Sequence, residues 1–151
     1  MKNILSSALI VLVFLVISLV SYNAYAAITA TDTPVPSGAN MQTAVIDATV
    51  TADGTYTTTH SYYGYLTEVW TSAGAGTSAS YDITITDPNR PGADIMGGAL
   101  GDRSVTTGQI ANPLQNGTPV WRAIHGPLEI NYSNTGSSGV VKLRLEIQQV
   151  K

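Results

Sequence analysis

The sequence contains no cysteine. That excludes disulfides, thiolate metal sites, iron–sulfur clusters and cysteine nucleophiles. Charge is scarce as well. Only 11% of residues are Asp, Glu, Lys or Arg, where roughly a quarter is usual for a soluble domain. Acids outnumber bases ten to seven, giving a formal net charge of -3. Such a chain lacks the concentrated positive surface that nonspecific nucleic-acid binding needs, so no nucleic-acid partner is expected. At 151 residues there is room for one comfortable domain.

The one long apolar run opens the chain. No charge interrupts residues 4–20, and Asp32 is the first charged residue after Lys2. A positive end, an apolar core and the small-x-small site Ala24-Tyr25-Ala26 are the parts of a secretory signal peptide, with cleavage before Ala27. A retained membrane helix over residues 4–25 is the other reading, since a span needs about 17–25 apolar residues. No basic stop follows the run. Both readings put the remainder outside the cytoplasm. Residues 1–26 are therefore expected to be a signal peptide or transmembrane anchor. Residues 27–40, with Pro34, Pro36 and Gly38 among hydroxyl side chains, are expected to be an extended or mobile linker.

Residues 41–151 read as strands. Residues 41–51 make one, with Val45 or Ile46 inward, and Asp53-Gly54 suggests a tight hairpin to residues 55–61. Residues 65–71 make another, whose inward face is ambiguous. Tyr81, Ile83 and Ile85 alternate with Asp82, Thr84 and Thr86, the pattern of a half-buried strand. Leu128, Ile130 and Tyr132 repeat it, and so do Val141, Leu143, Leu145 and Ile147. Asn112-Pro113 and Asn116-Gly117 mark loops. Short strands at regular spacing predict an all-β fold. The expected form is a two-sheet antiparallel β-sandwich, jelly-roll or Greek-key like, behind an N-terminal hydrophobic helix; a closed barrel is the alternative.

No reactive constellation stands out. His60 and His125 share no motif. Ser104 sits in a turn without the G-x-S-x-G elbow. Glu68 and Glu129 are the glutamates on strand candidates before the last strand, and nothing sets them face to face as glycoside hydrolysis requires. Asp87, Asp94, Asp102 and Asn89 could gather calcium, but they fit turn capping better. Asn116-Gly117-Thr118 and Asn131-Tyr132-Ser133 match the glycosylation acceptor. No catalytic residue, cofactor or metal is assigned. Tyr56, Tyr62, Tyr63, Tyr65 and Trp70 form a dense aromatic stretch, and with Trp121 they are the candidates for an interface or for stacking on sugars.

Several motifs bring a resemblance. Asp82-Ile83-Thr84-Ile85-Thr86-Asp87 runs into Ala93-Asp94-Ile95-Met96-Gly97-Gly98 and then Gly101-Asp102-Arg103-Ser104. Pro119-Val120 precedes Gly126-Pro127-Leu128-Glu129-Ile130, and Ser137-Ser138-Gly139 leads into Val140-Val141-Lys142-Leu143-Arg144-Leu145. In this order the chain resembles small β-rich proteins encoded by tailed phages and prophages, more faintly back to Asp53-Gly54-Thr55-Tyr56 and Gly64-Tyr65-Leu66. The resemblance implies a virion structural or decoration-type β-sandwich that works by protein–protein contact without catalysis. The leader departs from that pattern.

The expected function is a non-enzymatic structural protein of a virus particle or extracellular assembly, with a membrane-directed N-terminus. Its partners would be further copies of itself or a shell protein, and a membrane through residues 4–25. A uniform hydroxyl-rich coat is the physical motive, because charge is what ordinarily keeps sheets apart. A secreted or periplasmic module that binds glycan or a cell-surface polymer is the alternative, and a pilin-like or adhesive subunit a third.

Overall fold

The computed structural model describes residues 28–77, 80–90, 93–135 and 139–150. They form an all-β domain built on a curled, partly closed antiparallel sheet. In chain order the strands are β1 (Ile28–Gly38), β2 (Met41–Val50), β3 (Gly54–Thr57), β4 (Tyr62–Ala73), β5 (Asp82–Thr86) and β6 (Gln109–Ala111). After them come β7 (Leu114–Gln115), β8 (Thr118–Pro119), β9 (Arg122–Gly126), β10 (Glu129–Ser133) and β11 (Gly139–Gln148). The larger sheet runs β1-β2-β11-β4-β6, with β9 also paired to β4. A second sheet runs β3-β10-β5, and β7 and β8 make a small hairpin.

The last strand is central. β11 pairs with β2 from Gly139 opposite Val50 to Gln148 opposite Met41, and with β4 on its other side. Strict alternation explains that place: Val141, Leu143, Leu145 and Ile147 are buried, while Lys142 and Arg144 are exposed. Ala44, Ile46, Ala48 and Val50 match them on β2. Ile83, Ile85, Ile130 and Tyr132 of the second sheet close over the same core. Ile95, Met96 and Leu100, from the turns after β5, complete it.

β4 carries a bulge. Glu146 pairs with Glu68, but Ile147 pairs with Leu66, so Thr67 is the extra residue. The side-chain phase shifts there, and Leu66 and Val69 are both buried. This is why the inward face of residues 65–71 is ambiguous in sequence. The extra residue is held at both ends: the Thr67 hydroxyl donates to the Glu146 carbonyl at 3.1 Å, and Asn112 Nδ2 donates to the Thr67 carbonyl at 2.9 Å. β9 pairs with β4 before the bulge and β6 after it.

Three expectations are corrected. The linker of residues 27–40 is, from Ile28 to Gly38, an edge strand in register with β2. Proline is compatible with that place because an edge strand has a side with no ladder partner. Asp53-Gly54 makes no hairpin between its flanking strands, since β3 pairs with β10 in the other sheet. Asn116-Gly117 is a loop as expected: both residues have positive φ, 51° and 76°, the backbone of a tight turn joining β7 to β8. The transmembrane helix finds no counterpart: among the described residues no helix is long and apolar enough to cross a membrane. Residues 4–25, where that helix was expected, lie outside the described residues.

Gly64 tests the packing of β4 on β11. Its φ is +140°, and a β-carbon there would fall on the Gln148 carbonyl. Gly98 has φ +81° with open space around it. Gly64→Ala is expected to cost about 2 kcal/mol or more, and Gly98→Ala about 1 kcal/mol. Urea unfolding of the two variants checks the order.

Candidate functional site

The alternation that buries one face of the larger sheet exposes the other. Along β4 the bulge puts Tyr63, Tyr65 and Trp70 on the outer face together. Trp70 is 44% exposed and lies opposite Ile110 on β6 and Arg144 on β11; Arg144 lies opposite Val45 on β2. Tyr63 faces His125 across the β4–β9 ladder, and Tyr65 faces Ala123. Val35 is exposed on β1. The outer side of the smaller sheet differs. Thr55, Thr57, Thr84, Thr86 and Asn131 line it with Asp82 and Glu129, and no large exposed hydrophobic stands there.

Two grooves cut the aromatic face. One, of about 400 Å³, runs beside Trp70 between Val45, Asp47, Ser72, Lys142 and Arg144. The other, of about 380 Å³, is lined by Tyr63, Tyr65, Ala123, His125 and Val150. The Trp70 indole N–H donates to Glu68 at 3.0 Å, which steadies the ring on its own strand. Lys142 lies 3.5 Å from Asp47, and Arg144 3.7 Å from Glu146. These pairs are exposed and add little stability, but they leave the face nearly neutral.

The sheet edges are closed by other means. Pro34 and Pro36 interrupt the donors of β1. On β9, His125 N–H donates to Asp87 at 3.2 Å, and its carbonyl accepts from Asn89 Nδ2 at 2.6 Å. On β5, Ile83 N–H donates to the Leu100 carbonyl at 3.0 Å and the Ile85 carbonyl accepts from Ile95 at 2.7 Å. Asp94 accepts the N–H groups of Ile85, Met96 and Gly98. Asp87 also accepts from Asn89 N–H at 2.8 Å. Two of the three acids of the supposed calcium loop, Asp87 and Asp94, are thus bound by backbone donors. Among the described residues no group of three or more His, Asp or Glu side chains is placed to hold a metal ion.

A second cluster was not foreseen. Asp32, in the stretch expected to be a linker, is buried and accepts six hydrogen bonds. Its donors are the Tyr56 hydroxyl at 2.5 Å, the Tyr62 hydroxyl at 2.9 Å, Thr59 N–H and hydroxyl at 2.7 Å each, and His60 N–H at 3.0 Å and Nδ1 at 2.8 Å. Burial alone would push this carboxyl up; the bonds from Tyr56, then Thr59, then His60 overcome it and hold it well below the usual carboxylate range. Burial and the bond to Asp32 push the Tyr56 phenol up to about 12. Tyr62 moves the same way for the same reasons. The cluster ties edge strand β1 to the β3–β4 connection. The signal for it was Thr29, Thr31 and Thr33 alternating with Ile28, Ala30 and Asp32, which puts the acid on the inner side.

The sequence candidates therefore separate. Tyr62 is buried and Tyr56 half-buried, both spent on Asp32. Tyr63, Tyr65 and Trp70 share the outer face, and Trp121 is 62% exposed between β8 and β9. Glu68 and Glu129 lie on different sheets, with Glu129 accepting from Thr86 at 3.2 Å. The Ser104 hydroxyl accepts from the Thr106 and Thr107 amides at 3.2 Å, a turn contact. No family model, curated protein or solved structure matches the chain. The likeness to phage proteins rests on the sequence motifs alone.

Asp32→Ala leaves several buried donors without an acceptor and is expected to cost about 3 kcal/mol or more. The lowered carboxyl also sets a pH dependence. Its contribution is complete above about pH 4, the unfolded carboxylate value, and is lost as pH falls toward the folded value. Urea midpoints measured from pH 5 down to pH 2 should fall more steeply for the parent than for Asp32→Asn. At the other end, Tyr56 contributes fully below about pH 10 and ceases to contribute as pH rises through about 12.

Proposed function

We propose that the chain is a non-enzymatic structural subunit of a virus particle or another extracellular assembly. It docks on protein through the outer face of the larger sheet. The observation that carries the reading is the sorting of apolar surface: Val35, Tyr63, Tyr65, Trp70 and Ile110 stand on one face, and the opposite face is threonine, asparagine and acid. Exposed large apolar side chains gathered on one face, among charges that pair with each other, fit an interaction site. The capped edges support docking by face rather than by strand addition. The finer fold reading belongs to the same proposal: a jelly-roll or Greek-key sandwich. It is supported by β2 and β3, β4 and β5, and β10 and β11 each lying in different sheets around one core.

A secreted glycan-binding module is the second reading. Tyr63, Tyr65 and Trp70, exposed along one strand, favour it, because aromatic rings stack on sugar faces.

The test is recovery of the chain with its native assembly. Trp70→Ala combined with Ile110→Ser should lower co-purification by about tenfold, as loss of a central aromatic anchor does. Thr57→Ala, on the smaller sheet, should leave it unchanged. Equal recovery of both variants and the parent, or loss on Thr57→Ala alone, would contradict the proposal.

A further inference from the structure

We infer that β1 is an exchangeable arm: it leaves its own β2 and pairs in the same register with the β2 of a second copy, which returns its own β1. The exchange uses neither Trp70 nor the outer face, so it goes beyond the docking reading above and does not rest on it.

Three features carry it. The first is the turn that closes β1 on β2. Ala39 and Asn40 alone join Gly38 to Met41. Two-residue hairpin loops favour positive φ at one or both loop residues, because that backbone follows the twist of the strands. Asn116 and Gly117 meet this requirement between β7 and β8, whereas neither Ala39 nor Asn40 has positive φ. The chain reverses instead by taking Gly38 to φ +149° and leaving Ser37 as an extra residue opposite β2. Just before it, Pro34 and Pro36 hold Thr33 and Val35 in extended backbone. An exchanged arm runs straight on through residues 38–41 and dispenses with the turn. Other contacts are the same in both forms, so this short irregular hinge, together with concentration, decides between them.

The second feature is how little holds β1. β2 is its one ladder partner, and only Ile28 and Asp32 of the strand are buried. Such an element opens before the rest of the domain does. The third feature selects the occupant. When β1 lifts away, Tyr56, Thr59, His60 and Tyr62 lose their shared acceptor. A strand that takes its place must follow β2 from Val50 to Met41 and bring a carboxylate opposite Ile46, where Asp32 sits. The β1 of another copy does both. A strand of other sequence leaves the Tyr62 hydroxyl buried without an acceptor. The free edge of β1 is unchanged by the exchange, so no strand is added there.

The experiment uses the absence of cysteine. Thr29 on β1 lies opposite Thr49 on β2, and both are exposed. Two full chains are mixed, Thr29→Cys with a heavy-nitrogen label and Thr49→Cys without one. In a closed copy each thiol faces a threonine. In an exchanged pair the two thiols of different chains face each other within disulfide reach. The mixture is warmed at about 100 µM, diluted to about 1 µM and oxidised mildly, and the linked pairs are weighed intact. The mixed disulfide is expected to exceed either like disulfide by about tenfold. Ala39→Asn combined with Asn40→Gly supplies a positive-φ turn and should lower the mixed yield by about tenfold. Trp70→Ala in both chains should leave the yield unchanged. A random mixture of the three disulfides, no mixed disulfide, or a yield indifferent to the turn substitutions overturns the inference. A mixed disulfide that disappears with Trp70→Ala belongs to docking by the outer face; it overturns exchange and leaves the docking reading standing. If the mixed disulfide forms as expected while Trp70→Ala with Ile110→Ser still co-purifies fully, exchange stands and the docking reading fails.

Discussion

One extra residue in β4 organises this domain. With strict alternation, the face that buries Leu66 would also bury Glu68 and Trp70. Thr67, bulged against β11, shifts the phase so that Leu66 and Val69 both enter the core. The same shift sends Tyr65 and Trp70 to the same outer side. A bulge also bends its strand, and here β9 takes one half of β4 and β6 the other. Core, curl and aromatic face thus follow from a single local irregularity, which Asn112 and the Thr67 hydroxyl satisfy with hydrogen bonds.

The Asp32 cluster does the complementary task at the edge. β1 pairs on one side only and carries two prolines, which makes it the strand most easily lost. A carboxylate that gathers donors from Tyr56, Thr59, His60 and Tyr62 fixes it to the connection between the sheets. Charge-assisted bonds to a buried acceptor are the strong ones. The domain is otherwise poor in charge, and this interior anion is matched by hydroxyl and amide donors more than by a cation.

Legibility in the sequence followed regularity. The strands around Tyr81, Ile130 and Leu143 could be read directly, because each alternates without interruption. β4 could not, because its bulge breaks the period and leaves two inward phases to choose between. β1 was hidden by its prolines, which mark linkers as readily as edge strands. Asp53-Gly54 misled because a turn-compatible pair does not reveal which sheet the chain enters next. Of the aromatic candidates, composition marked a stretch but could not divide it into buried and exposed rings. Tyr62 and Tyr63 are neighbours in sequence, yet one is bound to a buried acid and the other is 59% exposed. That division depends on Asp32, which lies 30 residues away from Tyr62 along the chain.

The central claim is that the apolar side chains sorted outward by the β4 bulge form a docking face. Hydroxyl-radical footprinting of the chain within its native assembly and as isolated material tests this most directly. The account predicts protection of Tyr63, Tyr65 and Trp70 in the assembly, with Thr55 and Asn131 on the smaller sheet equally reactive in both states. Unchanged reactivity at the three aromatics, or protection confined to the smaller sheet, would contradict it.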